Sequence, residues 1–144
     1  VSWEVKLLPE VEEHDLPTIE KNLRNLLKSK TLTAEVYQAV KEEIVGRIGQ
    51  LLNGPNHPEA MKEPLPPGVS SSFDFRKIRF RFRISELRKR RKRDINLCRI
   101  PYVVFEESAT IVVVFIYTHA EYSKRPSDRE LKSRLKRAAR FRQT

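Results

Sequence analysis

Residues 73–125 read FDFRKIRFRFRISELRKRRKRDINLCRIPYVVFEESATIVVVFIYTHAEYSKR, and their pattern decides the fold. Phe73 and Phe75 share one parity, while Ile78, Phe80, Phe82 and Ile84 share the other. A strand cannot place both sets on one face without an irregularity, so a bulge or bend is expected near Arg76-Lys77. Beyond it, Lys77, Arg79, Arg81 and Arg83 all point away from the apolar set. Same-face side chains recur about every 6.6–7 Å along a strand, near the spacing of phosphates in single-stranded nucleic acid. Residues 87–93 (LRKRRKR) carry too many like charges to pack and read as a mobile connection. As a nuclear-localisation signal such a run is a common chance product of basic proteins. Residues 100–105, the turn Glu106-Glu107-Ser108-Ala109 and residues 110–117 form a hairpin. Its second strand is apolar on both faces, which argues for the sheet centre with helices covering one side.

Working outward, Trp3, Val5 and Leu7 alternate with Glu4 and Lys6 as in a half-buried strand, which Pro9 ends. An acidic tract, Glu10 to Asp15, precedes a helix expected over about 17–30, with Leu16, Ile19, Leu23, Leu26 and Leu27 at helical spacing and Pro17 in the first turn. Thr31 or Thr33 is the expected cap of a second helix, whose stripe is Val36, Val40, Ile44, Val45, Ile48, Leu51 and Leu52. Asn53-Gly54-Pro55 stops it. Residues 54–72 hold five of the nine prolines and read as a loop. Ser127-Asp128-Arg129-Glu130 is a capping box opening a basic C-terminal helix with Leu131, Leu135 and Ala138 on one stripe. The expected fold is α+β: an N-terminal strand and helical hairpin packed on a mainly antiparallel twisted sheet, with a basic C-terminal helix. Residues 1–144 are expected to form one domain.

The charge is local. Residues 76–99 hold twelve Lys/Arg against Glu86 and Asp94, whereas residues 1–75 are net acidic. A polyanion is the natural partner of such a field. Cys98 is the one cysteine and cannot form an internal disulfide, so a reducing cytoplasm is expected. The first residues show no secretory pattern, and the longest apolar run, residues 111–117, is far short of the roughly 20 residues of a membrane helix. No zinc-type Cys/His cluster, phosphate-binding GxxxxGK[ST] loop or Ser/Cys triad is visible, and no cofactor or metal is expected.

The opening WEVKLLP, the helical hairpin, the proline-rich approach MKEPLPPG to FRKIRFRFRI, and the hairpin YVVFEESATIVVVFIYTHA with its polar exit together resemble the RelE/ParE superfamily of bacterial toxin–antitoxin toxins. The exit THAEYSKRPSDREL is similar in style to the HigB-like branch. The resemblance spans nearly the whole chain, through element order and short patterns. It implies a ribonuclease that cuts messenger RNA, usually on the ribosome, with a cognate acidic antitoxin as inhibitor. Lys77, Arg79 and Arg81 stand where the RelE branch has its Lys-x-Lys pair, and His119, Tyr122, Lys124 and Arg125 stand at the polar exit. The chain departs from the family where many members carry an arginine inside the middle strand: here Tyr102 begins Tyr-Val-Val-Phe and the nearest arginine is Arg99. The basic insertion, residues 85–96, is also longer than the usual turn.

Cleaving RNA with its own 2′-hydroxyl needs a base, an acid for the 5′ leaving oxygen, and charge stabilisation of the phosphorane. The residues placed in catalytic roles are His119 as acid or base, Tyr122 as proton donor or stacking ring, and Arg79 and Arg81 as charge stabilisers. Lys77, Arg83, Arg88, Lys89, Arg90, Arg91, Arg99, Lys124 and Arg125 are the expected nucleic-acid contacts. His14 and His57 read as surface residues. An ordinary strand-end histidine and a solvated basic face are the plainer readings of the same residues. Two other functions compete: a non-catalytic RNA- or DNA-associated protein, and a ParE-like inhibitor of DNA gyrase.

Overall fold

A computed structural model describes residues 2–70, 72–88 and 94–143. The strands are β1 (Glu4–Leu7), β2 (Ala60–Lys62), β3 (Asp74–Arg81), β4 (Leu97–Phe105), β5 (Thr110–Val113) and β6 (Tyr117–Thr118). The helices are α1 (Leu16–Leu27), α2 (Lys30–Gln50), the single turn α3 (Ser85–Arg88) and α4 (Asp128–Ala138). One sheet runs β1-β5-β4-β3-β2, with β6 also paired to β4. Among the described residues only the β1–β5 pair is parallel. The α+β class read from the sequence holds. All nine residues of β4 are buried, so β4 is the spine on which β3, β5 and β6 are registered.

The helical hairpin covers one face of the sheet. Arg47 of α2 lies 3.8 Å from the centroid of the Phe80 ring, and the Tyr102 hydroxyl donates to Pro55 O at 2.8 Å. The opposite face is covered at its β1 end by the chain that follows α4: Lys6 Nζ sits over the Phe141 ring and the Arg142 guanidinium over Phe105. On β3 that second face holds the buried Phe75, followed by Lys77, Arg79 and Arg81.

Several details differ from expectation. The helix expected to begin at about residue 17 is preceded, within the acidic tract, by a π-helical run, Val11–Asp15, that leads directly into α1, with Val11 and Asp15 buried. The cap of α2 is Ser29, whose Oγ accepts the Leu32 N–H, because Thr33 is already inside the helix and buried. Val45 and Leu52 leave the apolar stripe and are 65% and 55% exposed; Val45 lies one α-helical step, about 100°, from the buried Ile44, and Leu52 one 3-10 step, about 120°, from the buried Leu51. The proline-rich connection contributes a strand, β2, paired antiparallel to β3. The basic connection begins with ordered backbone, since Leu87 of α3 is fully buried; residues 89–93 lie outside the described residues. His57 is buried rather than a surface residue: its Nδ1 accepts the Glu59 N–H and its Nε2 meets Gln50 Oε1, and burial lowers its pKa.

The expected bulge near Arg76-Lys77 is absent. β3 pairs with β4 in unbroken register from Asp74–Val104 to Arg81–Leu97. Phe75 therefore shares the face of Lys77, Arg79 and Arg81, yet it is buried, because that face is covered at this end, where its partner Val103 is buried too. The irregularity lies elsewhere. Tyr102 pairs with Val113, but Arg99 pairs with Tyr117. Three residues, 114–116, thus span a gap that two residues cross on β4: a one-residue bulge. Among the described residues no helix is long and apolar enough to cross a membrane.

Candidate nucleic-acid interface and cleavage site

The bulge decides which side chains meet. Residues paired in register share a face, so Arg79, Arg99 and Tyr117 form one row across β3, β4 and β6. The next row is Arg81, Leu97 and His119, the last held opposite Leu97 by its N–H to Leu97 O at 3.0 Å. Had β5 continued in its own register, Tyr117 would lie opposite Cys98 and turn toward the helical hairpin. The extra residue rotates Tyr117 and His119 onto the basic face.

A buried ion pair holds the bulge. The Asp15 carboxylate accepts both Arg134 Nη1 (2.6 Å) and Nη2 (2.9 Å), and also the Ile116 N–H at 3.0 Å. Arg134 Nη1 donates at the same time to Val114 O, and the guanidinium lies 3.4 Å from the Phe115 ring centroid. A bulge frees backbone groups from the ladder, and buried ones must find partners. Here α4 and the π-helical turn before α1 supply them.

The row itself is partly unsatisfied. Arg99 is buried; its Nη1 donates to Lys124 O at 3.2 Å, but its Nε finds no hydrogen-bond partner among the described residues. The Tyr117 hydroxyl and His119 Nδ1 are likewise buried without a partner. Burial pushes the Tyr117 phenol well up, so it stays protonated and can only present its proton as a neutral donor. Buried donors and acceptors without partners are costly, and a ligand bound at this row would supply the missing bonds; Thr33, Asn96, Ser108 and Arg137 carry such atoms elsewhere in the fold.

Other expected site residues stand around this row in different states. Arg79 is exposed. Arg81 is exposed and reaches Asp94 at 2.8 Å. Lys77 and Arg125 converge on the buried Glu63, at 2.9 and 3.3 Å, and Arg125 also donates to Pro64 O at 2.6 Å. This triad binds the end of β2, β3 and the loop after β6 to one another, and it compensates two of the expected phosphate contacts internally. Arg83 lies past the end of β3, its N–H held by the Glu43 carboxylate, and Arg88 ends α3; both side chains are exposed and neither belongs to the rows. Lys124 is exposed on the loop that Arg99 anchors. Lys89, Arg90 and Arg91 lie outside the described residues.

Tyr122 packs edge-on against Tyr117, ring centroids 5.5 Å apart, and against Phe115. Its hydroxyl donates to Glu130 Oε2 at 3.1 Å, and burial, reinforced by that carboxylate, pushes its pKa up to about 12. It supports the site more than it offers a mobile proton. Sequence reasoning passed over Tyr117 as a core residue of an apolar strand. Its only sequence signal is that it lies two residues before His119, which puts both on one strand face.

A cleft of about 470 Å³ opens at the opposite end of the sheet, lined by Trp3, Gln50, Asn53, Asn56, His57 and Glu106 among others. Its lining carries no Lys or Arg, and it is remote from the rows. Among the described residues no three His, Cys, Asp or Glu side chains gather as metal ligands would.

No family model matches the sequence, and no curated protein matches it. Among solved structures the chain is similar to a double arginine-to-alanine mutant of the E. coli toxin RelE in the free state. The two share 13% identity over 95% of this chain and 98% of that one, with a TM-score of 0.42. The likeness is loose, and the chemistry has to be read from this chain's own residues.

Proposed function

We propose that this protein, as a single domain of residues 1–144, is a metal-free endoribonuclease that cleaves messenger RNA on the ribosome. In this reading it is a cytoplasmic toxin restrained by an acidic antitoxin. One observation carries the proposal: the cross-strand row Arg79, Arg99 and Tyr117, with His119 one register step away, on the basic side of the sheet. Two guanidiniums in one row suit a phosphodiester, which accepts paired N–H donors and gains charge in the phosphorane. The neutral Tyr117 phenol can donate to a non-bridging oxygen. His119 is the imidazole beside them and exchanges protons with the 2′-hydroxyl or the 5′ leaving oxygen. Arg81 and Lys124 lie beside the row for the flanking phosphates. The resemblance of the sequence to RelE/ParE toxins supports the message and the antitoxin as partners.

The test is incubation with translating ribosomes and mapping of message 5′ ends. Wild-type protein should produce new ends, and His119→Ala should lower their yield about 10²-fold or more while ribosome binding is retained. Binding without any cleavage by wild-type protein would assign the face to a non-catalytic RNA-binding role. Growth arrest with intact messages would point to a protein target such as gyrase.

A further inference from the structure

The turn that carries His119 is closed by a second capping box, Thr118-His119-Ala120-Glu121, outside any regular helix. Glu121 Oε1 accepts the Thr118 N–H at 2.6 Å, and its Oε2 accepts the Thr118 hydroxyl at 2.8 Å. Thr118 Oγ1 in turn accepts the Ala120 N–H, while the N–H groups of Glu121 and Tyr122 both return to Thr118 O. This is the reciprocal arrangement of a helix N-terminus, compressed into one turn with His119 at its first position. A third donor reaches the same carboxylate: Asn22 of α1, ninety-nine residues away in sequence, donates to Glu121 Oε2 at 2.7 Å. Burial raises the Glu121 pKa, against the pull of these three donors.

We propose that Glu121 is the positioning residue of the cleavage site, a partly buried carboxylate that clamps the His119 turn to β6 and to α1 so that the imidazole meets the Arg79–Arg99–Tyr117 row. The inference rests on the ribonuclease reading for its consequence in activity, and on the hydrogen-bond geometry alone for the clamp. Three features separate this carboxylate from an ordinary turn residue. All three of its partners donate, so both oxygens are used and no proton on the group is needed. Its partners come from two separate elements, so the turn cannot shift along β6 without breaking the bond to α1. The buried Thr118 it holds is the last residue of β6, immediately before His119.

The experiment compares Glu121→Ala, Glu121→Gln and Asn22→Ala in message cleavage and in ¹H–¹⁵N NMR. Glu121→Ala removes the clamp and should lower the cleavage rate by about 10- to 100-fold, the scale of roughly 1 Å misplacement of a catalytic group. Ribosome affinity should stay within about twofold, because the phosphate contacts are untouched. Glu121→Gln keeps an oxygen for the Thr118 N–H and should recover the rate to within about threefold, which loss of general packing would not predict. Asn22→Ala leaves both Thr118 bonds and should fall between. In NMR, the short charge-assisted bond should place the Thr118 amide proton far downfield and protect it from exchange. That signal should vanish in Glu121→Ala, with broadening of the His119 ring resonances, and in Glu121→Gln it should move upfield but stay protected from exchange, because the bond is kept without its charge. Wild-type cleavage in Glu121→Ala, or an unchanged Thr118 amide, overturns the proposal. If Glu121→Ala does not fold, an Asn22→Ala protein with unaltered His119 resonances and rate overturns it equally. A wild-type protein that cuts no message sinks the ribonuclease reading, and the two NMR signals still decide the clamp.

Discussion

Replacing Arg134 by methionine should be among the most damaging single changes to this fold. The substitution keeps an apolar stem of similar reach but removes two bonds to Asp15, one to Val114 O and the cation stacked on Phe115. Asp15 is left 4% exposed, with the Ile116 N–H and the neighbouring His14 as its remaining partners. An uncompensated buried carboxylate costs roughly 3–5 kcal/mol. For a chain of this size each kcal/mol lowers the Tm by about 2–4 °C, so a fall on the order of 10 °C is expected. Thermal and urea unfolding can be followed by circular dichroism and by Trp3, the single tryptophan. The double variant Asp15→Asn/Arg134→Met removes the stranded charge while keeping an acceptor for Ile116 N–H, and it should regain about half of the loss or more. If Arg134→Met stays within about 1 kcal/mol of wild type, or if the double variant is as unstable as the sum of the singles, the pair does not hold the bulge as described. Because residues 114–116 set the face of Tyr117 and His119, Arg134→Met protein that remains folded should also lose cleavage.

Three further outcomes follow from the site. Arg79→Ala and Arg81→Ala should each weaken RNA or ribosome binding and shallow its salt dependence by about one counterion; an unchanged salt slope in the double variant would make both arginines decoration of a solvated face. Glu63→Gln should act in the opposite sense, releasing Lys77 and Arg125 so that binding tightens and the salt slope steepens by about one to two, while the Tm falls; tighter binding without a steeper slope would contradict this. All four tyrosines, Tyr37, Tyr102, Tyr117 and Tyr122, have pKa values raised above the usual phenol range, by burial first in each case. The native state therefore favours the protonated phenols, and the stability this contributes is complete below about pH 10 and lost as pH climbs through the raised values. Tyrosinate absorbance should rise above the ordinary phenol value, and Tyr122→Phe should delete a step at about 12; a full-amplitude transition at the ordinary value in folded protein would refute the burial assigned to these rings.

What the sequence determined by itself is what period and punctuation encode. Alternation at Trp3, Val5 and Leu7, helical spacing through α1 and α2, the Asn53-Gly54-Pro55 stop and the Ser127–Glu130 box each name an element through local physics. So did the central hairpin and the placement of Lys77, Arg79 and Arg81 on a single strand face, because a pleated strand has a fixed period of two. The second capping box at Thr118–Glu121 was equally legible as a pattern, but it stood in what read as the polar exit from the last strand.

Only the tertiary structure decided which residues meet. A one-residue bulge reverses every side chain after it, and nothing in residues 111–117, apolar at almost every position, marks where the extra residue falls. Its place is set by Asp15 and Arg134, which are 119 residues apart and satisfy the backbone groups that the bulge frees. Phe75 shows the same limit from the other side: two apolar parities demanded a bulge only while one covered face was assumed, and the burial of Phe75 and Val103 shows the second face covered at that end as well. Glu63 likewise has no local signature as the buried partner of Lys77 and Arg125. Such pairings depend on long-range packing, which makes a buried charge tolerable only where its partner is brought to it.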